Sequence, residues 1–208
     1  MSGNLFIYYE EGNPQAVMSP DVFVVFGVSN RKRRTYKTWQ ENGKLPSFIL
    51  EITSKTTQRK DEVEKPQLYA SLGVQEYFQY DPTADYLKPQ LKGARLVEGR
   101  YQTLPLDQTA EGVPFLHSQI LGLDLQLQTP RIIGLAPLPK ALRFYDPQTD
   151  STLPSRDEVE EERDLAQQER DLAQQERNLA QQERDLAQAK AERLAKRLRD
   201  MGIEPDEL

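Results

Sequence analysis

An apolar run with one carboxylate inside it occupies residues 48–52 and reads Phe-Ile-Leu-Glu-Ile. A short continuous apolar run of this kind is typical of a β-strand that is buried on both faces. A carboxylate within such a strand is costly to bury unless it is paired or binds a metal ion. Glu51 is therefore the first candidate for a functional residue.

The segments on either side of this run predict the rest of a sheet. Val22–Phe26 is a second apolar strand, predicted to be buried on both faces, and Leu5–Tyr9 is a third. The helical pattern of residues 57–72 ends at Gly73, a natural residue to follow a helix C-terminus. Glu76–Tyr80 is the next strand. This order of strands and helix predicts an α/β (α+β) fold with a mixed sheet flanked by helices.

Shorter elements follow this core. Arg95–Tyr101 is predicted to form a hairpin that turns at Glu98-Gly99, and short strands are predicted near Leu121–Leu127 and Leu142–Tyr145.

Composition limits both the class of protein and the chemistry. The chain has 208 residues, no cysteine and one histidine, which excludes disulfides, thiolate metal sites and sites built from several histidines. No run of about 18 apolar residues and no secretory signal is present, so neither a membrane partner nor export is expected, and the cytoplasm is the expected compartment.

The net charge of −6 divides the chain into two parts. Residues 1–150 carry 17 basic and 17 acidic side chains, whereas residues 151–208 carry 10 and 16. We therefore predict a domain over residues 1–150, with its core at about 3–105, and a linker followed by a long helix or coiled coil over 151–208. The neutral first part leaves a nucleic-acid partner open.

The second part contains a seven-residue repeat. Its leucines lie seven apart at Leu165, Leu172, Leu179 and Leu186, but Gln or Glu occupies the other core position of each heptad. A coiled coil normally has two apolar positions per heptad. We expect a helix of about 65 Å at 1.5 Å per residue. It is either a weak coiled coil, with a homodimer through residues 163–198, or a single solvated helix.

A second carboxylate lies at the start of another predicted strand, in Ser19-Pro20-Asp21. Two carboxylates on adjacent strands form a hard-oxygen site suited to Mg²⁺ or Mn²⁺, and Lys65 on the predicted helix could orient a water near it. A different interpretation stays open, in which Glu51 faces water from a sheet edge and Pro20-Asp21 is an ordinary strand-entry turn.

The spacing of these residues resembles that of a known family. Pro20-Asp21, Glu51 with Ser54 three residues later, Lys65, Tyr69, Gly73-Val74, Glu76-Tyr77-Phe78 and Asp81-Pro82 together are similar to the Uma-two family, restriction-endonuclease-like proteins of the PD-(D/E)XK nuclease superfamily. The resemblance covers about residues 3–105. It implies that Asp21 and Glu51 bind the metal and that Lys65 is the catalytic lysine, supplied from the helix.

The chain departs from the family pattern in three places. Thr53 occupies the usual lysine position two residues after Glu51, so Lys55 is a rival to Lys65. Pro66 is expected to break the helix into residues 57–64 and 66–72 and so to misplace Lys65. The family's N-terminal helical segment is expected to be missing, as in a truncated copy, with Glu10 and Glu11 as candidate replacements for its acidic residue.

A basic run with interleaved aromatic residues follows the second strand. Arg31, Lys32, Arg33 and Arg34 are followed by Tyr36, Lys37 and Trp39. Such a run suits contact with DNA phosphates, and an ordinary solvated loop explains it equally well.

Two functions follow from these observations. The first is a metal-dependent DNA endonuclease with Asp21, Glu51 and Lys65 at its centre and the basic run on the DNA backbone. The alternative is an inactive nuclease-like module that binds a partner, or itself, through the repeat tail.

Overall fold

The computed structural model describes residues 5–55, 63–129 and 139–201, and the chain divides into two compact units, residues 1–153 and 154–208. The first unit contains thirteen strands among its described residues: β1 (Ile7–Tyr8), β2 (Val17–Met18), β3 (Val22–Val24), β4 (Tyr36–Lys37), β5 (Phe48–Ile52), β6 (Glu76–Tyr80), β7 (Leu91–Val97), β8 (Arg100–Thr103), β9 (Asp107–Gln108), β10 (Pro114–Ser118), β11 (Leu123–Gln128), β12 (Ala141–Asp146) and β13 (Ser151–Thr152). Its helices there are α1 (Lys65–Ser71) and a short 3₁₀ turn (Thr38–Gln40).

A five-stranded mixed sheet, the central sheet, has the strand order β3-β5-β6-β7-β8. Strand β5 runs parallel to β6 and antiparallel to β3, so it has a hydrogen-bonded neighbour on both sides. Its first four residues are buried, as the apolar run predicts. Because β5 lies inside the sheet, Glu51 is held away from water.

Each face of the central sheet packs against a different layer. One face, with Ile49 and Tyr77, joins α1 and a small sheet of order β2-β1-β4 in one apolar cluster. The opposite face, with Phe48, Leu50 and Phe78, packs on a second, five-stranded antiparallel sheet of order β13-β12-β11-β10-β9. The alternation of side chains along β5 therefore places Glu51 on the face that carries α1.

Pro66 lies at the start of helix α1, directly after its first residue, Lys65. Pro66 occupies one of the first positions of the helix, where its missing N–H has no helical partner to lose. Helix α1 corresponds to the second of the two predicted pieces, residues 66–72, and the predicted break between the two pieces stays a prediction. Leu72 is the C-cap and Gly73 follows with a φ of +76°, which confirms the predicted helix end. Residues 57–62 of the predicted helix lie outside the described residues.

The turn between β7 and β8 is the one that the sequence predicts. Val97 pairs with Arg100 across it, and Glu98 and Gly99 have φ values of 49° and 77°. Positive φ at both central residues is the geometry of the tight hairpin turn that favours glycine.

One strand prediction needs correction. Strand β3 ends at Val24 and lies at the edge of the central sheet, and Phe26 is 51% exposed. The run Val22–Phe26 is therefore not buried on both faces along its length.

The second unit contains helix α2 (Arg156–Asp200), 45 residues long. Its N-terminus is a capping box, because Ser155 accepts from the backbone of Glu158 and the Glu158 side chain accepts from the backbone of Ser155. Hydrogen bonds from Gln167 to Asp171 and from Gln181 to Asp185, at 2.9 and 2.8 Å, are two of the i,i+4 pairs along the repeat.

The leucines of α2 lie on its surface. Their exposed fractions run from 56% for Leu165 to 67% for Leu186, and no described residue of the helix is buried. The α+β class with mixed sheets and a long C-terminal helix is confirmed.

Among the described residues, no helix is both long enough and apolar enough to cross a membrane.

Candidate functional site

Asp21 and Glu51 come together where β3 meets β5. Val22 pairs with Leu50, so Asp21, which directly precedes β3, lies beside the carboxyl end of β5. The Asp21 carboxylate accepts from the backbone N–H of Ile52 at 2.8 Å, and the Asp21 N–H donates to Glu51 Oε2 at 3.4 Å. The predicted convergence of these two side chains is present in the structure.

Helix α1 brings two donors to Glu51. Lys65 Nζ lies 2.8 Å from Glu51 Oε2, and the Tyr69 hydroxyl donates to Oε1 at 2.6 Å. The Lys65 side chain keeps 25% of its surface exposed, whereas that of Glu51 keeps none. Glu51 is therefore a fully buried carboxylate with one cationic and one neutral side-chain donor.

Burial dominates the electrostatics of Glu51. It raises the pKa of the Glu51 carboxyl to about 7, against the lowering effect of the hydrogen bonds from Lys65 and Tyr69. The neighbouring Asp21 carboxyl adds to the increase. A carboxyl with this pKa changes between its neutral and charged forms near physiological pH, as functional carboxyls often do.

The two lysines that the sequence offers occupy different environments. Lys65 contacts Glu51, so the expected misplacement by Pro66 does not occur. Lys55 is exposed on the segment that follows β5. The interpretation of Glu51 as a water-facing edge residue is wrong, because its exposure is 0%.

Tyr69 belongs to the candidate site, and the sequence alone did not predict a role for it. It lies four residues after Lys65, a spacing that places two side chains on one face of a helix. The polar end of Tyr69 meets Glu51, and its ring packs edge-on against Tyr77 at 5.4 Å. The i,i+4 spacing was the signal that could have identified it.

Two further polar side chains lie beside Glu51. Thr53 is two residues further along the chain, on the same side of the extended backbone, and is 1% exposed. Gln79 is directly opposite Glu51 in the parallel pairing of β5 with β6, and is 7% exposed. Of the buried side-chain atoms in the described residues, Thr53 Oγ1 and Gln79 Nε2 are the two without a hydrogen-bond partner.

These residues fit a divalent cation of the Mg²⁺ type. In the described part of the chain, no three or more His, Cys, Asp or Glu side chains are grouped so that together they could hold a metal ion. Mg²⁺, however, is commonly held by one or two carboxylates together with several waters. Asp21 and Glu51 supply the carboxylates, and the unpartnered atoms of Thr53 and Gln79 supply polar surface beside them.

The basic run is partly used within the fold. Arg31 and Arg33 both bind Glu41 Oε1, each at 2.9 Å, and Arg33 also donates to the backbone of Ser29 and lies over the Tyr36 ring. Lys32 and Arg34 are exposed. A cavity of about 740 Å³ opens here, with Leu5, Phe23, Val25 and Tyr36 among its apolar lining and Arg31, Lys32 and Arg33 among its basic lining.

Glu10 and Glu11 are exposed in the turn after β1, where Glu10 accepts from the Asn13 side chain at 3.0 Å. Neither takes part in the contacts of Asp21 or Glu51 given above.

A comparison with known families and proteins adds to this geometry. No curated protein matches the chain. The model of the Uma2 (Uma-two) family, described as "putative restriction endonuclease", matches residues 1–128, which is more than half of the chain. The match covers Asp21, Glu51, Lys65 and Tyr69. The chain belongs to the Uma2 family of restriction-endonuclease-like proteins.

Proposed function

We propose that this protein is a metal-dependent endonuclease that hydrolyses phosphodiester bonds in DNA. The observation that supports it most is the buried Glu51, which lies beside Asp21 and within 2.8 Å of the Lys65 ammonium. A fold that keeps a carboxylate inside an apolar sheet sacrifices stability at that position. Membership of a restriction-endonuclease family supports the same reaction class.

Each residue has a distinct part in the proposed site. Asp21 and Glu51 hold Mg²⁺ or Mn²⁺, which when bound lowers the pKa of a water and offsets phosphate charge. Lys65 orients the attacking water and stabilises negative charge that develops on the phosphate. Tyr69 fixes the orientation of the Glu51 carboxylate. Water adds to phosphorus and loses one proton to solvent, the bond from phosphorus to one sugar oxygen breaks, and that oxygen takes up a proton from solvent.

The basic run supplies the proposed DNA contacts. Lys32 and Arg34 are exposed and available for backbone phosphates, whereas Arg31 and Arg33 form ion pairs with Glu41. We therefore expect Lys32 and Arg34 to contribute more to salt-dependent DNA affinity than Arg33 does. In this proposal the protein acts in the cytoplasm.

The test is nicking of supercoiled plasmid DNA in MgCl₂ or MnCl₂. We expect wild type to nick, EDTA to stop it, and Glu51→Ala to reduce the rate at least about 100-fold, as for loss of a metal-binding carboxylate. Glu111→Gln, which changes an exposed carboxylate elsewhere, is the control. Equal nicking by wild type and Glu51→Ala, or by neither, refutes the catalytic proposal.

The two lysines provide a matched pair for the same assay. Lys65→Met removes the ammonium that contacts Glu51, and Lys55→Met removes an exposed one. We expect the first to abolish nicking and the second to leave it within about twofold. The reverse result assigns the catalytic lysine to residue 55.

A second function is supported by α2, whose leucine row is more than half exposed. In this alternative the domain of residues 1–150 is an inactive module, and the linker and helix of residues 151–208 associate with a partner or a second copy. DNA binding without cleavage, or no DNA binding at all, supports this alternative.

A further inference from the structure

The unpartnered atoms beside Glu51 are the feature that neither the fold nor the proposed metal ligands explain. Thr53 is 1% exposed and Gln79 is 7% exposed, yet Thr53 Oγ1 and Gln79 Nε2 have no hydrogen-bond partner. Leaving a buried polar group unsatisfied costs about 1–3 kcal/mol. Native proteins contain few such groups, and each calls for an explanation.

Both side chains lie near Glu51, one across the β5–β6 pair and the other two residues further along the chain. Gln79 is the cross-strand partner of Glu51 in the parallel β5–β6 pair. The Thr53 N–H donates to the carbonyl of Tyr80 at 2.8 Å, so the β5–β6 pairing continues one residue beyond Ile52. Because side chains alternate along a strand, Glu51, Thr53 and Gln79 share the face that carries α1.

The chemistry of the two groups differs from that of the carboxylates. The Gln79 amide nitrogen is a donor, so it requires an oxygen atom and not a cation. The Thr53 hydroxyl can donate and accept. Both carboxylate oxygens of Glu51 already accept from Lys65 or Tyr69, so neither unpartnered group is needed to hold Glu51 in place.

We propose that Thr53 and Gln79 bind the water molecules that a Mg²⁺ or Mn²⁺ ion at Asp21 and Glu51 retains. Mg²⁺ dehydrates reluctantly and usually keeps several waters, and those waters need hydrogen-bond partners from the protein. The two side chains are positioning residues for the hydrated cation. This inference rests on the proposed function, because it assumes that a cation binds between Asp21 and Glu51.

The proposal explains why a threonine and a glutamine occupy buried positions at some cost to stability. Thr53→Val keeps the shape of the side chain and removes the hydroxyl, and Gln79→Met keeps the length and removes the amide. Since Thr53 Oγ1 is unsatisfied in the metal-free protein, Thr53→Val should not lower its melting temperature. Both changes should weaken binding of the cation.

The experiment is calorimetric titration of the full chain with MnCl₂, together with melting curves in EDTA. We expect Thr53→Val and Gln79→Met each to raise the dissociation constant for Mn²⁺ about tenfold or more, the usual effect of losing a hydrogen-bonding group around a metal site. Thr53→Ser restores a hydroxyl and should bind like wild type. Thr38→Val and Gln126→Met change buried residues of the same types elsewhere and should not alter the affinity.

Three outcomes separate this inference from the proposed function. If wild type binds Mn²⁺, Glu51→Gln does not, and the Thr53 and Gln79 variants bind like wild type, the inference is wrong and the proposed site remains. If wild type and Glu51→Gln bind equally, or neither binds, both fail. Weakening by Thr38→Val as large as by Thr53→Val also overturns the inference. Should one site variant fail to fold, the other decides.

Discussion

Two buried glutamates on opposite faces of the central sheet have very different surroundings. Glu76 is 0% exposed and receives five hydrogen bonds: two from Arg95, one from the Ser118 hydroxyl, and those from the backbone N–H groups of Gln119 and Ile120. Glu51 is equally buried, but Lys65, Tyr69 and a long contact from Asp21 are its donors. Polar atoms without partners lie beside Glu51.

We interpret the difference as that between a structural carboxylate, Glu76, and the proposed metal-binding carboxylate, Glu51. Glu76 joins the central sheet to the second sheet, because Ser118 is the last residue of β10 and Gln119 and Ile120 lie in the turn that leads to β11. Its charge is fully compensated in the fold. Burial raises the pKa of Glu51 to about 7 despite its donors, so its charge is under-compensated. A cation bound at the proposed site would supply the missing compensation.

The largest expected effect is the difference in folding stability between a variant of Glu76 and a variant of Glu51. Glu76→Ala leaves Arg95 and several N–H groups without an acceptor and should cost about 3–5 kcal/mol, the usual result of removing one partner of a buried pair. Glu51→Gln removes an under-compensated charge and should be neutral or stabilising at pH 8. Urea unfolding in EDTA measures both. Similar losses in the two variants would contradict the distinction between them.

The next effect is a pH dependence that Glu51 alone should cause. Its pKa in the folded protein, about 7, lies above the ordinary value of 4.5. The folded state therefore binds the proton more tightly, so the stabilisation is full below pH 4.5 and is lost as the pH rises through 7. The difference amounts to about 3 kcal/mol, at 1.4 kcal/mol per pKa unit.

Wild type should therefore lose about this much stability relative to Glu51→Gln between pH 4.5 and 8, in EDTA. The groups that face Glu51, namely Asp21, Lys65 and Tyr69, are present in both proteins. A constant difference across this range would show that Glu51 is ionised throughout.

A smaller effect is expected from the Tyr69 hydroxyl. Tyr69→Phe keeps the ring contact with Tyr77 and removes the hydrogen bond to Glu51. In wild type this hydrogen bond lowers the pKa of the Glu51 carboxyl. The variant should lose about 1–2 kcal/mol at pH 8 and shift the Glu51 midpoint upward. Tyr101→Phe, which loses a bond to the Val74 carbonyl, is the control and should not move the midpoint. An unmoved midpoint in Tyr69→Phe would exclude the proposed orienting role.

The last prediction concerns helix α2. Changes to its leucine row should affect self-association and should have the smallest effect on the stability of the first unit. Four exposed leucines at seven-residue spacing can contribute a few kcal/mol per helix at about 0.8 kcal/mol per buried CH₂, and association entropy offsets much of that. We predict a weak, concentration-dependent homodimer through residues 163–198. Leu179→Glu should abolish it, whereas Asn178→Glu adds the same charge off the leucine row and should not. Light scattering that gives one mass for all three proteins at high micromolar concentration would leave a single solvated helix.

Much of the site was predictable because its signals are local. The apolar run around Glu51 and the proline before Asp21 predict adjacent strands, and the structure pairs them. The extent of α2 also follows from the sequence, because no Gly or Pro occurs between Arg156 and Met201. The contact of Lys65 with Glu51 was implied by family resemblance and not by the helical pattern, since Pro66 predicted the opposite.

Other features depend on pairing between distant segments, which a single sequence does not display. Strands β1, β2, β4, β9 and β13 have two residues each, too few for any periodicity. The proposed role of Gln79 depends on the register of β5 with β6, and the structural role of Glu76 depends on a contact with Ser118, 42 residues away. Phe26 looks like part of a buried strand, but β3 lies at the edge of the sheet.

The most direct test of the account is the melting temperature of wild type, Glu51→Gln and Asp21→Asn at pH 8, each with EDTA and with millimolar MnCl₂. A cation that binds the folded state at 100 times its dissociation constant stabilises it by about 2.7 kcal/mol. We predict a clear rise for wild type, a blunted rise for Asp21→Asn and none for Glu51→Gln, which in EDTA should melt no lower than wild type. An identical response of all three proteins to MnCl₂ would show that Asp21 and Glu51 do not form a metal site.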